Sequence, residues 1–381
     1  MGSYKVSIIT VSYNSADTIE QTIQSVVRQS YKEMEYIMID GASTDGTQEI
    51  IGKYVGCLGY YVSEKDDGLY DAMNKGIKRA SGDIIGIINS DDWYEDGAVE
   101  HIVQYFEDHP DMDAVYGNMV IRNEYGEETL DIPQPLGNFG WMMPFGHSSV
   151  FVKKGIYEKF GVFDTQYKIA SDHELLLRFY INKVRFGYLD RIVAYFRLGG
   201  LSTRKVREVI EEKYLISKIY AADFPNHREI ADKIEEIYEW GLFEAEILLD
   251  SRFLPQQMNR YFHEDVKNII IFGTGIWGER CRKALEGTGV KIMYLTDNNQ
   301  AKWDTEYHGV KIINPDELKD MAAYVLIAVK EYGEEIRKQL GAMGNGMLKY
   351  VGIDELKKVF KEDKKRQSHE ITDTEGSMLP I

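Results

Sequence analysis

Two adjacent carboxylates, Asp91 and Asp92, follow Ile84 to Ile88, a nearly apolar run that is typical of a buried strand. In open parallel sheets, side chains beyond the carboxyl ends of the strands face a ligand crevice. Neighbouring like charges repel each other, and Mg²⁺ or Mn²⁺ relieves that repulsion because both ions prefer oxygen ligands and substrate phosphates. The pair therefore predicts a divalent-metal site, although a solvated turn would look the same because Asp is common in turns.

Two further predicted strands end in polar residues. The first carries the polar cluster Thr10 to Asn14 with one aromatic side chain, Tyr13, and the second ends at Asp40. An aromatic ring and a carboxylate at adjacent strand ends could hold a nucleobase, the ring by stacking and the carboxylate by accepting a hydrogen bond from a base N–H. Asx turns ahead of a helix explain Asn14 and Asp40 equally well, so both interpretations stay open.

A lysine and an aspartate in two other polar segments have side chains that could act on a substrate. Lys75 lies in Ser63 to Gly76, which is too polar for a core, and could reach a phosphate, although lysines on helices are usually just exposed. Asp172 precedes an apolar helical stretch, and the dipole at a helix N-terminus favours an ionised carboxylate that can accept a proton. Its plain alternative is an N-cap. We interpret His147 and His173 as structural or surface histidines rather than metal ligands, because neither has a second His at metal-ligand spacing.

The elements that position these residues alternate between strand and helix. Apolar, β-branched runs such as Val6 to Val11 predict buried parallel strands, and helical spacing of apolar residues predicts a helix after each strand. Such alternation implies right-handed crossovers and an α/β fold with a parallel sheet.

The second half of the chain changes character at about residue 206. Residues 206–265 are charged and helical, and we favour packing against a neighbouring domain over a membrane-surface role because the polar face is rich in acids. A new α/β unit then begins with a strand, a glycine-rich loop and a helix. The G-x-G-x-x-G pattern of Gly273, Gly275 and Gly278, with Asp297 at the next strand end, is typical of dinucleotide binding. An NAD(P)-dependent oxidoreductase or sugar-nucleotide epimerase is therefore the alternative function.

Composition excludes several other classes of protein. The chain has 381 residues and a formal net charge of -17, which argues against nucleic-acid binding because that needs a basic surface. Cys57 and Cys281 have no Cys or His companion at metal-ligand spacing, so we expect two reduced thiols. The first residues lack the basic and apolar regions of a signal peptide, and no run is long enough to span a membrane. We expect a cytoplasmic protein; attachment to the inner face of the membrane and homo-oligomer formation stay open.

Residues 6 to about 203 resemble glycosyltransferases of family 2, which have the GT-A fold, and specifically the branch that assembles bacterial polysaccharides. Five motifs in the family's order carry the resemblance: Ile9 to Asn14, Asp40 to Thr47, Ser63 to Gly76, Asn89 to Asp92, and Ser171 to Leu175.

The resemblance implies a role for each matching residue. The residues that it places at the nucleotide, usually uridine, are Thr10, Tyr13, Asn14, Asp40, Asp67, Lys75, Asn89 and Asp91. Asp91 and Asp92 would hold Mn²⁺ or Mg²⁺, and Asp172 would be the catalytic base. The first position of the metal motif is Asn89 rather than an acid. The stretch Tyr195 to Thr203 also lacks the metal-binding His of many relatives, so that Arg197 could supply part of the positive charge there.

Three side chains, Trp141, His147 and Arg197, are assigned to the acceptor side, because aromatic faces in loops near such sites hold sugar rings. A buried loop packed on the core would look the same around Trp141 and His147. The predicted function is an inverting, metal-dependent transfer of a sugar from a nucleotide-diphosphate donor to a glycan or lipid-linked saccharide. The predicted α/β organisation is a GT-A domain at 1–205, a helical connector at 206–265, a Rossmann-like domain at 266–360 that binds a nucleotide, and a disordered tail at 361–381.

Overall fold

The structure is a computed structural model that describes residues 4–123 and 126–362. Its internal contacts divide the chain into two compact units, Met1–Tyr238 and Glu239–Ile381. The boundary falls inside the stretch that the sequence predicts to be a helical connector. Of the predicted tail, only residues 361 and 362 are described, and both continue a helix; residues 363–381 lie outside the described part of the chain.

The first unit is built around one mixed sheet. Its strands are β1 Val6–Ser12, β2 Met34–Asp40, β3 Tyr60–Ser63, β4 Ile84–Asn89, β5 Trp93–Tyr94, β6 Ala114–Arg122, β7 Glu128–Asp131, β8 Val150–Lys153 and β9 Phe186–Arg197. They lie in the order β3-β2-β1-β4-β8-β6-β9-β5, with β7 beside β6. Strands β3, β2, β1 and β4 are parallel, and β8 runs antiparallel to β4.

Helices follow the strands in alternation, as the sequence predicts. In and next to the first unit they are α1 Ile19–Val27, α2 Thr47–Gly52, α3 Leu69–Arg79, α4 Ala98–Asp108, α5 Lys154–Phe160, α6 Ser171–Ile181, α7 Leu201–Arg204, α8 Val206–Tyr220 and α9 His227–Leu249. Short 3₁₀ turns occur at Val55–Cys57, Leu136–Gly140, His147–Ser149 and Ala221–Asp223. The prediction of an α/β fold is confirmed.

The central strand β1 is buried on both faces. Because successive side chains of a strand point to opposite sides, Ile9 and Val11 join one hydrophobic core and Val6 and Ile8 join the other. This double burial explains why the sequence of β1 is a continuous apolar run.

The parallel register brings the polar strand ends together. Ser12 lies beside Asp40, Asp40 lies beside Ser63, and Val11 lies beside Asn89. Residues far apart in sequence therefore meet at the carboxyl edge of the sheet, where ligands of α/β folds bind.

Helix α8 packs on the first unit, although the sequence assigns it to the connector. Ile216 is fully buried in the core that also contains α6, and Val209, Tyr214 and Tyr220 pack against the same core. This contact agrees with the packing interpretation of the acid-rich helices. Part of the apolar surface of α8 is buried against this core, whereas Leu215 and Ile219 are exposed.

The second unit has its own parallel sheet. Its elements are α10 Phe253–Phe262, β10 Asn268–Phe272, α11 Ile276–Leu285, β11 Lys291–Thr296, β12 Glu306–Tyr307, β13 Val310–Ile313, β14 Ala323–Ile327, α12 Gly333–Ala342, β15 Leu348–Gly352 and α13 at 353–362, with 3₁₀ turns at Gln300–Lys302 and Pro315–Asp320. The order is β12-β13-β11-β10-β14-β15, parallel except at β12. Its core order resembles that of doubly wound dinucleotide-binding sheets. Across the described residues, none of the helices is both long and apolar enough to cross a bilayer.

Candidate active site

The side chains of Asp40 and Thr10 are buried and hydrogen-bonded within the protein. The Asp40 carboxylate has no exposed surface and accepts hydrogen bonds from the hydroxyls of Ser12, Ser43 and Ser63 and from the Ser43 N–H. The fully buried Thr10 hydroxyl accepts a hydrogen bond from Tyr36 at 3.1 Å. Neither side chain is exposed, and both are engaged by protein groups; the nucleotide contacts of Thr10 and Asp40 stay predictions. Asp40 forms the turn that its alternative interpretation describes.

Tyr13 and Asp66 form an open surface beside that turn. The Tyr13 side chain is 67% exposed. A Cβ at Gly41 would lie 2.6 Å from Oδ2 of Asp66 and 3.3 Å from Cδ2 of Tyr13, so the absent side chain of Gly41 is what lets the carboxylate approach the ring. Partial burial raises the pKa of Asp66. Asp67, the residue chosen from sequence, is exposed; spacing alone did not distinguish it from Asp66.

Asn14 and Lys75 are occupied within their own segments. Asn14 has a left-handed backbone with φ 48°, and its Oδ1 accepts a hydrogen bond from the Thr44 N–H at 2.9 Å. The Lys75 Nζ lies 3.0 Å from Glu64 and 3.3 Å from Asp71. These contacts favour the turn interpretation of Asn14 and leave no structural support for a phosphate contact by Lys75.

The two adjacent carboxylates have different environments. Asp92 has no exposed surface; its Oδ1 accepts a hydrogen bond from the Arg197 N–H at 3.1 Å, and its Oδ2 accepts one from the Ser148 hydroxyl at 2.8 Å. Burial and the nearby Asp91 charge raise the pKa of Asp92 to about 8. Both oxygens of Asp92 thus join β9 and the His147–Ser149 turn to the end of β4, which favours a structural role over the predicted metal contact.

Asp91 faces a more polar environment near the end of β9. Burial raises its pKa, while the positive charges of Arg197, His147 and Arg204 act in the opposite direction. A Cβ at Gly200 would lie 2.6 Å from Oδ2 of Asp91, so the backbone there passes close to the carboxylate.

Arg197 is held beside Asp91 by several contacts. Its Nε donates to the Asp91 carbonyl at 3.2 Å, one terminal nitrogen donates to Gln21 at 2.6 Å, and the guanidinium lies 5.1 Å from the centre of the Trp93 ring. Arg197 thus belongs to the Asp91 side of the site, as the charge-neutralisation interpretation expects.

The oxygen donors at the end of β4 fit part of a metal shell. The Asn89 Oδ1 atom is buried and has no hydrogen-bond partner, and Asp91 adds a carboxylate two residues later. Among residues 4–123 and 126–362, no three His, Cys, Asp or Glu side chains converge into a complete metal site. This donor set suits Mg²⁺ or Mn²⁺, which commonly take one or two protein oxygens and complete their shells with water and substrate phosphates.

Asp172 is the second residue of α6. The N-cap position belongs to Ala170, so the N-cap interpretation of Asp172 is wrong. The Tyr70 hydroxyl donates to its Oδ1 at 3.1 Å, and Nδ1 of His147 lies 4.0 Å from its Oδ2. Burial and the Asp172 charge raise the pKa of Tyr70 well above its usual value, which keeps this hydroxyl a hydrogen-bond donor.

His147 lies near both Asp172 and Asp91. Burial lowers its pKa, while the charges of Asp172 and Asp91 act in the opposite direction. A cavity of about 20 Å³, lined by His147, Asp172 and apolar side chains, lies beside them and has room for one water molecule. The buried Nε2 of His147 has no protein partner. His147 therefore lies beside Asp172 and within range of the Asp91 charge.

The two other side chains next to this region pack in the core. His173 is fully buried, and burial lowers its pKa to about 3, as expected for a structural histidine. Trp141 is half-buried against the core of the first unit. The acceptor contact predicted for Trp141 stays a prediction.

The glycine-rich loop of the second unit forms the predicted strand-to-helix turn. Gly273 has φ +105°, and a Cβ at Gly278 would lie only 2.0 Å from the Gly273 carbonyl oxygen, so both glycines are sterically required. Gly275 has open space around it. Asp297, however, accepts hydrogen bonds from Thr274, Lys302 and the Asn299 N–H. These contacts engage both carboxylate oxygens, and the ribose contact that the sequence pattern predicts stays a prediction.

Comparison with known proteins identifies the class of the first unit. Residues 7–172 match the family model for glycosyl transferase family 2, and residues 265–350 match a model described as C2185-like, N-terminal. The crystal structure of residues 1–349 of Staphylococcus aureus TarS has a TM-score of 0.50 and 21% identity, covering 67% of this chain and 78% of that 1–349 chain. Another TarS structure, also with a TM-score of 0.50, contains UDP-GlcNAc. The N-terminal sheet is thus that of a GT-A glycosyltransferase.

Sequence relatives define the family. An uncharacterized glycosyltransferase of Mycobacterium tuberculosis is 32% identical over 187 residues, which cover 45% of this chain and 68% of the relative. The Escherichia coli UDP-Glc:alpha-D-GlcNAc-diphosphoundecaprenol beta-1,3-glucosyltransferase WfaP is 26% identical over 222 residues, covering 56% and 86%. The chain belongs to glycosyl transferase family 2, and it is a glycosyltransferase.

Proposed function

We propose that this glycosyltransferase moves a sugar from a UDP-sugar to a glycan or lipid-linked saccharide, with inversion at the anomeric carbon and with Mn²⁺ or Mg²⁺ bound. The observation that carries this proposal is the position of His147, which is close enough to Asp172 and Asp91 for both charges to act on its pKa. An in-line sugar transfer requires a base beside the attacking hydroxyl and a metal-binding carboxylate beside the departing diphosphate, with the sugar between them.

The nucleotide site that we propose consists of Tyr13 and Asp66. The exposed Tyr13 ring offers a stacking face, and Asp66 beside it can accept a hydrogen bond from a base N–H. Uracil carries such an N–H, and TarS has been crystallised with UDP-GlcNAc. We therefore replace the predicted set of Thr10, Asp40, Asp67 and Lys75 with these two side chains.

The diphosphate side that we propose is the end of β4. Asp91 and the unpartnered Asn89 Oδ1 would hold the metal, and Arg197 adds a fixed positive charge beside them. When bound, the metal would act as a Lewis acid that neutralises the departing diphosphate. Asp92 contributes by fixing the end of β9, which carries Arg197.

Asp172 would accept the proton of the attacking hydroxyl. The hydrogen bond from Tyr70 to Oδ1 holds the carboxylate in place and leaves Oδ2, which faces His147, to receive the proton. General-base help of this kind contributes roughly 10²–10⁴-fold to the rate. Attack from the side opposite the diphosphate breaks the sugar–phosphate bond as the new glycosidic bond forms, which inverts the anomeric carbon.

The acceptor and the cellular role rest on relatives. WfaP, by its name, glucosylates a diphosphoundecaprenol-linked sugar. We propose an acceptor of the same general kind, a saccharide or lipid-linked saccharide in cell-surface polysaccharide synthesis. Of the predicted acceptor residues, we keep His147, which lies beside the base, and assign Arg197 to the diphosphate side.

A donor screen tests the proposal. Thermal unfolding is followed with UDP, UDP-GlcNAc, UDP-Glc and GDP-Man, each with and without Mn²⁺, and transfer or hydrolysis is measured for every donor that stabilises the protein. We expect Mn²⁺-dependent stabilisation by uridine nucleotides, weakened about tenfold in affinity by Tyr13→Ala or Asp66→Asn because stacking or one hydrogen bond is lost.

Tyr332→Ala is the matched control, because Tyr332 is 64% exposed and lies in the second unit. Equal loss of nucleotide affinity in the Tyr332 and Tyr13 variants, or stabilisation by no nucleotide at all, would contradict the proposed donor site.

The alternative activity, a nicotinamide-dependent oxidoreductase or epimerase, would use the second unit. Its glycine-rich turn is open at Gly275, and we retain the proposal that this loop binds a nucleotide phosphate without redox catalysis. Asp297 is engaged by Lys302 and Thr274, which does not favour a ribose contact. Absorbance and fluorescence of the purified protein after incubation with NADH would reveal a bound nicotinamide.

A further inference from the structure

Glu212 on α8 makes an unusual contact with the segment that leads into the helix of the proposed base. Its two carboxylate oxygens accept hydrogen bonds from three successive backbone N–H groups, those of Lys168, Ile169 and Ala170, at 2.7, 2.9 and 2.9 Å. Asp172 follows two residues after the last of these. The carboxylate therefore fixes the backbone immediately ahead of the proposed base.

Helix α6 has no side-chain cap of its own. Its N-cap residue is Ala170, which has no polar side-chain atom with which to hold the start of the helix. Glu212 acts from another helix, and its negative charge is favourable near the positive end of the α6 dipole. Hydrogen bonds to an ionised acceptor are roughly twice as strong as neutral ones, so three of them restrict this short segment strongly.

A second set of contacts joins the same two helices. The Tyr220 hydroxyl at the end of α8 donates to Oε1 of Glu174 at 2.6 Å, and Glu174 forms an ion pair with Arg178 at 2.9 Å. The fully buried Ile216 belongs to the core that α6 also lines. Helix α8 therefore shares a core with α6, contacts it through Tyr220, and holds the backbone ahead of it through Glu212.

We infer that Glu212 is a positioning residue for Asp172, so that α8 is part of the transfer machinery although it lies beyond residues 7–172, which match the family model. This inference rests on the proposed function of Asp172. Glu212 does not contact the substrate. It fixes the start of α6, so that the Asp172 carboxylate stays where Tyr70 can donate a hydrogen bond to it and where His147 is nearby.

The test compares Glu212→Ala with Glu211→Ala in the full chain, because Glu211 is an exposed neighbour on the same helix. We expect Glu212→Ala to lower kcat by about 10- to 100-fold while KM for the donor stays within twofold, since a small misplacement of a catalytic group can cost about 10²-fold. Glu211→Ala should leave both constants unchanged. Glu212→Gln, which keeps one acceptor oxygen, should recover part of kcat.

A double-mutant cycle separates positioning from general stability. If Glu212 acts through Asp172, adding Glu212→Ala to Asp172→Asn should lower kcat no further, because the group being positioned has already lost its function. A further fall equal to that of the single Glu212 variant would overturn the inference. So would an unchanged kcat in Glu212→Ala.

The turnover of two single variants distinguishes a failure of the positioning role from a failure of the proposed base. If Asp172→Asn alone retains full turnover, the assignment of the base fails; if it loses turnover while Glu212→Ala does not, only the positioning role fails. Should Glu212→Ala not fold, Glu212→Gln, which keeps one acceptor oxygen, replaces it in the same cycle. Additive losses in that cycle would count equally against the inference.

Discussion

The carboxyl edges of the two sheets both carry polar residues, but these residues differ in how far protein groups already bind them. In the first unit, the Tyr13 ring is exposed and the Asn89 oxygen has no protein partner. In the second unit, Asp297 at the matching kind of strand end is engaged by Thr274, Lys302 and the Asn299 N–H. An acid at a strand end is therefore a candidate for chemistry only when its hydrogen-bonding capacity is not already used by the protein.

The same distinction holds within the first unit. Asp40 and Asp92 are buried and saturated with hydrogen bonds, whereas Asp91 and Asp66 lie beside glycines whose missing side chains leave room for the carboxylates. Substituting these acids one at a time distinguishes those that take part in the reaction from those that stabilise the fold.

The largest effect is expected for Asp172→Asn. Transfer should fall by roughly 10²–10⁴-fold because the amide cannot accept the hydroxyl proton, while the affinity for the nucleotide stays unchanged. Steady-state kinetics and calorimetry with the donor measure the two quantities. Asp108→Asn, an exposed change at the end of α4, is the control. Near-normal turnover of Asp172→Asn would remove this residue from the mechanism.

Asp91→Ala and Asp92→Ala should have opposite consequences. The Asp91 variant should lose Mn²⁺-dependent nucleotide binding but keep its stability, because burial raises the pKa of Asp91 and its charge is costly in the fold. The Asp92 variant should lose roughly 1–3 kcal/mol of unfolding free energy for each partner left unsatisfied, the Ser148 hydroxyl and the Arg197 N–H.

Chemical denaturation and calorimetry with and without Mn²⁺ distinguish the two variants. An Asp92 variant of normal stability that loses metal-dependent binding would reverse the roles that we assign to this pair.

A smaller effect is expected for Asp297→Ala. The second unit should lose about 1–2 kcal/mol of unfolding free energy, because Thr274 and Lys302 lose their shared acceptor. Transfer by the first unit should remain unchanged. Asp304→Asn is the control, since Asn tolerates the left-handed backbone at this position, with φ 59°, and the ion pair with Lys311 is mostly exposed and contributes little. Loss of transfer in the Asp297 variant would show that this edge takes part in the reaction.

The smallest effect concerns pH and Glu35, far from the site in the sheet. Partial burial would raise its pKa, but hydrogen bonds from Ser7 and Ser81 prevail and lower it to about 2 from 4.5. A depressed folded-state pKa stabilises the protein above pH 4.5, and that stabilisation disappears as the pH falls toward 2. Glu35→Gln should therefore be less stable than wild type by on the order of 1 kcal/mol at pH 7, with the difference vanishing near pH 2. Urea denaturation across this range measures it; a constant difference would contradict the assignment.

Much of the fold could be predicted from local patterns. The apolar runs of β1, β4 and β10 and the helical spacing in α1 and α3 are properties of neighbouring residues, which periodicity reports directly. The choice of Asp66 over Asp67 could not be predicted, because it depends on contact with Gly41, which lies on a different strand end. The role of Glu212 depends in the same way on α8 packing beside α6.

The sequence by itself determined the α/β class, the family motifs and the strand ends where polar residues collect. These follow from hydrophobic periodicity and from short runs of residues. Tertiary structure alone decided which of those residues are available: it buried Thr10, Asp40 and Asp92, left Tyr13 open, and brought His147 to 4.0 Å from Asp172. The physical reason is that burial and hydrogen-bond saturation depend on neighbours distant in the chain, so that identical carboxylates become structural or chemically available only after packing.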